Sequence, residues 1–252
     1  MNIPLPASIQ ITPLPNNPYG SRVEISPLYP GYGVTIGNSL RRVLLSSLPG
    51  AAVTAVKIEG ASHEFMTLPH IKEEVLEIIL NLKQIHVIVH TDEKEKIFLD
   101  VKGKKMATAG DFKKNSNVEI VSADFHIATL TDKNAKLVIE ATAERGVGFS
   151  TVEERETENE VGIISIDALF SPIKSVGYSV EDIRVGKRTD YDKLVLEVVT
   201  DGSIDVKEAL RQASGILVQQ VNFIHNETGG ETSEPSAIEE VKKKKSTRKK
   251  SK

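Results

Sequence analysis

Along the 252-residue chain, apolar positions recur with a helical period in three places and with a period of two almost everywhere between them. Residues 37–48 set Ile36, Leu40, Val43, Leu44 and Leu48 on one stripe, and Pro49-Gly50 ends the segment. Arg42 falls on the opposite face with Arg41 and Leu45 at its flank, an apolar and cationic surface that the helix's own core does not require. Residues 71–82 gather Ile71, Val75, Ile78, Ile79 and Leu82 on one side and turn Glu73, Glu74 and Glu77 toward solvent. A third helix is predicted from Asp205, which reads as a capping box with Glu208, to about Ile224. Its stripe of Val206, Leu210, Ala213, Leu217 and Ile224 is widened by Ala209, Ile216, Val221 and Phe223. So wide a stripe predicts contact both with a sheet and with another chain; the plainer alternative is a helix buried in one domain.

Strand-like runs fall at 53–59, 85–90, 97–101, 118–121, 137–143, 163–166, 175–180 and 194–199. Few helices and many strands predict an α+β fold, and no repeat of 20–50 residues marks a solenoid or propeller. From Asn226 onward the chain turns to Thr, Gly, Ser, Glu, Pro and Lys and predicts disorder over 227–252, since it offers too little apolar surface to offset the entropy of ordering.

A chain of this length can bury a sizeable core. It holds no cysteine, which excludes disulfides, thiolate metal sites and cysteine nucleophiles, and no apolar run near the roughly 20 residues that a membrane span needs. The first residues, Met1 to Pro6, carry no secretory pattern, so a cytoplasmic protein is expected. The net charge of −3 conceals an asymmetry. Eight of the 32 basic residues lie in the last twelve positions, Lys242 to Lys252, while residues 1–225 carry 24 basic against 30 acidic side chains. An acidic body with a basic end predicts that any DNA contact by this chain is local, weak and without sequence preference.

The search for chemistry is mostly negative. Gly31, Gly33 and Gly37 precede the first predicted helix but lack the spacing of a phosphate loop and read as turn glycines. His86 and His90 share a strand face yet stand about 13 Å apart at about 3.3 Å per residue, too far to chelate one metal unaided. Asp190 and Asp192 resemble spaced metal-binding aspartates, but Arg184, Lys187, Arg188 and Lys193 beside them favour ion pairs or an interface. Ser150 and Ser165 have no nucleophile elbow. The residues therefore predict an assembly subunit with no catalytic residue, bound metal or cofactor of its own. A stand-alone α+β ligand- or nucleotide-binding domain using the glycine loop and the two aspartates is the alternative.

The stretch Gly31-Tyr32-Gly33-Val34-Thr35-Ile36-Gly37-Asn38-Ser39-Leu40-Arg41-Arg42-Val43-Leu44-Leu45-Ser46-Ser47-Leu48-Pro49-Gly50 closely resembles the signature of the α subunits of bacterial DNA-directed RNA polymerase. So do His63-Glu64-Phe65, the run from Glu73 to Lys83, Leu130-Thr131-Asp132, Arg145 to Phe149, Ser171-Pro172-Ile173, Val185 to Leu194 and Gly202 to Asp205, in that family's order. The resemblance implies an interleaved dimerisation domain, 1–49 with 172–228, helices packed on an antiparallel sheet. A β-rich domain would be inserted at 50–171, and 229–252 would be a disordered, lysine-rich tail. It implies a homodimer on which the β and β′ subunits assemble, with ω and σ in the holoenzyme and DNA met through the assembled enzyme. On this resemblance Arg41, Arg42, Leu45, His63 and Glu64 face β, and Glu77, Lys83, Ile166, Arg184, Arg188, Asp190 and Asp192 face β′. Leu40, Leu44, Leu210, Ala213, Leu217 and Ile224 join the two copies. Family members usually continue into a small helical DNA-binding domain; here the sequence stops at Lys252, so upstream promoter recognition of that kind is not expected, and the basic tail is expected to supply at most nonspecific attraction.

Overall fold

The structure, a computed structural model, describes residues 3–155 and 162–229. The predicted α+β class holds. In chain order the elements are β1 (Ser8–Leu14), β2 (Asn17–Leu28), α1 (Tyr32–Ser46), β3 (Pro49–Ile58), α2 (Val75–Lys83), β4 (Val87–Val89), β5 (Glu95–Lys102), β6 (Lys105–Thr108), β7 (Val118–Ile120), β8 (His126–Leu130), β9 (Lys136–Val147), β10 (Phe149–Ser150), β11 (Ile163–Ser165), β12 (Ala168–Leu169), β13 (Ile173–Val185), β14 (Arg188–Thr200) and α3 (Val206–Glu227). Among these described residues no helix is long and apolar enough to cross a membrane.

One antiparallel sheet has the order β1-β2-β14-β13 and draws its strands from the two ends of the chain. Helix α1 lies against β13 and β14. It begins five residues earlier than the periodicity predicts, because two of the glycines taken for a turn are packing residues inside the helix. A Cβ on Gly33 would meet Val180 Cγ1 at 2.8 Å and Asp192 Oδ2 at 2.9 Å, and one on Gly37 would meet Leu194 at 2.8 Å and Tyr178 at 2.9 Å. Only Gly31, with φ of 85°, makes the turn into the helix. Leu40 and Leu44 then sink into the interface with the sheet.

A second antiparallel sheet, β11-β3-β9-β5, carries the larger core. Val56 and Ile58 of β3, Ile97 and Leu99 of β5, and Leu137 and Ile139 of β9 alternate inward with period two. They join Val75, Ile78 and Leu82 of α2 in a cluster closed by Ile127 and Leu130 of β8. Helix α2 is shorter than predicted: Ile71 pairs with Leu130 in an isolated bridge, and Glu73, expected in solvent, is buried. Its carboxylate accepts from the Thr129 amide at 2.6 Å and lies 3.1 Å from His126 Nε2. Burial pushes this carboxyl's pKa upward, but the Thr129 and His126 bonds outweigh it and hold the group below its ordinary value.

The chain divides into two compact units, the second beginning at Ser214 within α3. In the first unit Val206, Ala209 and Ala213 are buried. The expected capping box is replaced, since Glu208 instead accepts from Arg211 and Gln212 farther along the helix. The second unit holds the remaining turns of α3, ended by Gly229 with φ of 86° and by the Thr228 amide and hydroxyl on the Ile224 carbonyl. The tail expected to be disordered lies outside the described residues from 230 onward.

Candidate assembly interface

The residues expected to face partners separate into those that present their side chains and those that the chain itself consumes. On α1, Arg42 is exposed and Leu45 half-buried. Arg41 reaches back, its Nε donating to the Val176 carbonyl at 3.1 Å, so this guanidinium is partly spent on β13. His63 is exposed and Glu64 half-buried in the segment after β3, where the Ser62 amide and hydroxyl each approach Met66 Sδ at 3.2 Å. This brings the apolar Phe65 beside them to the surface, 74% exposed.

Glu77 and Lys83 stand on the outer side of α2. Lys83 Nζ lies 3.9 Å from Asp167 and 5.9 Å from the centroid of the Phe149 ring. Ile166 differs from its expected role: it is 5% exposed and belongs to the core around the second sheet, with its amide bonded to the Thr54 carbonyl. Its side chain has no free face to offer.

The turn joining β13 to β14 gathers the remaining charges. Arg184 Nε donates to the Gly186 carbonyl at 3.0 Å. Arg188 forms a two-pronged pair with Asp190 at 2.6 and 3.0 Å and lies over the rings of Tyr191 and Tyr29, 5.2 and 5.7 Å from their centroids. Arg188 holds the Asp190 carboxyl below its ordinary range. The ion-pair reading of Asp190 is thus correct, whereas Asp192 is different. It is buried, and its Oδ2 accepts from the Gly31 and Gly33 amides at 3.0 and 2.9 Å. A carboxylate there completes the unpaired donors at the start of α1 and meets the positive end of the helix dipole. Lys193, in turn, pairs with Glu24 at 2.8 Å and Glu181 at 3.7 Å.

Of the residues expected to join two copies, Leu40, Leu44 and Ala213 are buried within the single chain, and Leu210 and Leu217 are half-buried. Ile224 is exposed, and with it Val218, Val221 and Phe223, all between 56% and 66%. Val218 was missing from the predicted stripe, although a helical period run on from Ser214 would have included it.

The sequence profile of the family described as RNA polymerase Rpb3/RpoA insert domain matches residues 56–171. The chain is 48% identical over 209 residues to a DNA-directed RNA polymerase subunit alpha of Symbiobacterium thermophilum, covering 82% of this chain and 66% of that one. It is 49% identical to the subunit of the same name from Alkaliphilus oremlandii, covering 82% and 65%. With that of Moorella thermoacetica it shares 46% over 222 residues, covering 88% and 70%. The chain thus spans about two-thirds of the length of these relatives. Identity at this level over both sheets and into α3 leaves one conclusion: the chain belongs to the family of bacterial DNA-directed RNA polymerase α subunits.

Proposed function

We propose that two copies of this chain pair and form the platform on which the β and β′ subunits of a DNA-directed RNA polymerase assemble in the cytoplasm. In this reading ω and σ complete the holoenzyme, DNA is met through the assembled enzyme, and the chain contributes no catalytic group to RNA synthesis. The observation that carries the proposal is the 46–49% identity to relatives named as α subunits of that enzyme. Val218, Val221 and Ile224, exposed at helical spacing along one side of α3 with Phe223 also exposed farther round the helix, support the pairing, because exposed apolar surface of that kind marks an interaction site. Residues 1–49 with 172–228 would be the dimerisation part and 50–171 the insert, consistent with one sheet drawn from both chain ends and the other from the middle.

Arg42, Leu45, His63 and Glu64 would then meet β. Glu77, Lys83 and the Arg184 to Asp190 turn would meet β′, with exposed cations and anions fixing register and speeding encounter. Native mass spectrometry of complexes drawn from the source cell by an affinity tag on this chain tests the whole reading. Two copies with two much larger chains are expected; a monomer, or a homo-oligomer without large chains, overturns it. Arg42→Ala should keep the dimer and its melting temperature while the β chain is lost from the complex. Joint loss of dimer and β would mean that Arg42 lies on the wrong face for this role.

A further inference from the structure

Beside the turn joining β13 to β14 stand three tyrosines that no role described so far uses. Tyr29 directly follows β2, whose last residue, Leu28, pairs with Asp192 of β14. Its ring meets those of Tyr32 and Tyr191 edge to face, with centroids 6.2 Å apart in both pairs and planes at 85° and 77°. The backbone under these rings is tied down twice. The Tyr32 amide donates to the Tyr29 carbonyl at 3.0 Å, and Asp192 accepts from the Gly31 and Gly33 amides. The segment that carries Tyr29 and Tyr32 is thereby fastened to the strand that carries Tyr191.

Arg188 rests on this group. Its guanidinium lies 5.2 Å from the centroid of Tyr191 and 5.7 Å from that of Tyr29, and its Nε and one terminal nitrogen donate to Asp190. The side chain is nonetheless 50% exposed. A guanidinium has five N–H donors, and Asp190 occupies two of them, so an edge of Arg188 stays open to a partner. A surface arginine free to sample its rotamers loses that freedom when a partner takes hold of it. One that is already held loses less and binds better for it.

We propose that Tyr29 and Tyr191 are positioning residues: together with Asp190 they seat Arg188 so that its open edge meets a hydrogen-bond acceptor on β′. The inference rests on the β′ reading given above and deepens it, since it assigns a task to two side chains that need not touch β′ themselves.

The test titrates purified β′ against the full chain loaded with β. Tyr29→Leu should weaken β′ about threefold, the size of one exposed cation–ring contact, whereas Tyr29→Phe, which keeps the ring, should bind as the unchanged chain does. In an Arg188→Ala background Tyr29→Leu should cost nothing further, because the ring acts through the arginine. Tyr191→Leu, on another strand, should repeat the pattern and guards against a folding defect at position 29. Losses that add to that of Arg188→Ala, or a Tyr29→Phe chain as weak as Tyr29→Leu, would overturn the seat while leaving the assembly reading intact. Failure of the unchanged chain to take up β′ would instead overturn the assembly reading, and the seat's purpose with it.

Discussion

Helix α1 and the last turns of α3 carry the same kind of sequence signal, an apolar stripe at helical spacing, and meet opposite fates. In α1 the stripe is consumed at once. Gly33 and Gly37 remove the atoms that would hold the helix off its sheet, Asp192 closes its first turn, and Leu44 is fully buried. Beyond Ser214, Val218, Val221, Phe223 and Ile224 stay in water. Periodicity reports that a face is apolar, but it does not report what covers it. Burying side chains of this size contributes about 1.5–3 kcal/mol each. Four on each of two copies, each about 60% exposed, would contribute on the order of 7–15 kcal/mol on pairing, the same size as an association cost of about 4–15 kcal/mol.

The sharpest way to break this comparison is to damage each stripe separately. Leu44→Ala leaves a cavity under α1 and should lower unfolding free energy by about 2–5 kcal/mol in urea denaturation. Phe223→Asp should change the stability of the separated chain by no more than about 0.5 kcal/mol, as exposed substitutions do. Yet it should shift sedimentation from dimer toward monomer. A Phe223→Asp chain that remained dimeric while losing several kcal/mol of stability would mean that the two stripes do the same job.

Asp190 and Asp192 repeat the contrast two residues apart. Asp192→Ala leaves the Gly31 and Gly33 amides without their acceptor, a cap loss of about 0.5–2 kcal/mol. Asp190→Ala removes only an exposed ion pair and should leave the melting temperature close to that of the unchanged chain. In the assembled complex the order should reverse: Asp190→Ala weakens retention of β′, whereas Asp192→Asn, which keeps an acceptor, leaves it near normal. Thermal melts and pull-downs of the two variants together decide this.

Most of the strands were legible because alternation survives in them. The long ones were drawn too short, as at 175–180 for β13 and 194–199 for β14, and the short ones slightly too long, as at 85–90 for β4 and 163–166 for β11. The β1–β2 hairpin was not, because Pro13, Pro15 and Pro18 interrupt its pattern. Pro13 is tolerated because β1 is an edge strand, with a register irregularity at that residue, and Pro15 falls in the turn. The early start of α1 was hidden for a related reason. Glycine inside a helix normally costs up to about 1 kcal/mol, so Gly33 and Gly37 read as turn residues until their neighbours across the sheet are known. Glu73 looked like a solvent-facing helix residue; its partners Thr129 and His126 lie more than 50 positions away, beyond any local pattern. Ile166 and Asp192 show the limit of reading sites from resemblance. A residue close to a partner surface can still direct its side chain entirely into its own chain.

The smallest expected effect concerns the buried, N-terminal half of α3, where sequence and structure assign Glu208 different partners. Arg211 at 2.5 and 2.7 Å, and then Gln212 at 2.9 Å, hold its carboxyl at a pKa of about 2 against an ordinary 4.5. A depressed carboxylate contributes stability that is complete above about 4.5 and lost as the pH falls through about 2. Because the pair is exposed, salt should screen it. Carboxyl-carbon NMR should therefore place the Glu208 midpoint near 2 at low salt, and Arg211→Gln should carry it back toward 4.5. A midpoint that stayed low in Arg211→Gln but rose when Gln212→Ala was added would assign the charge to Gln212, and one that stayed low in both would return Glu208 to the capping box with Asp205.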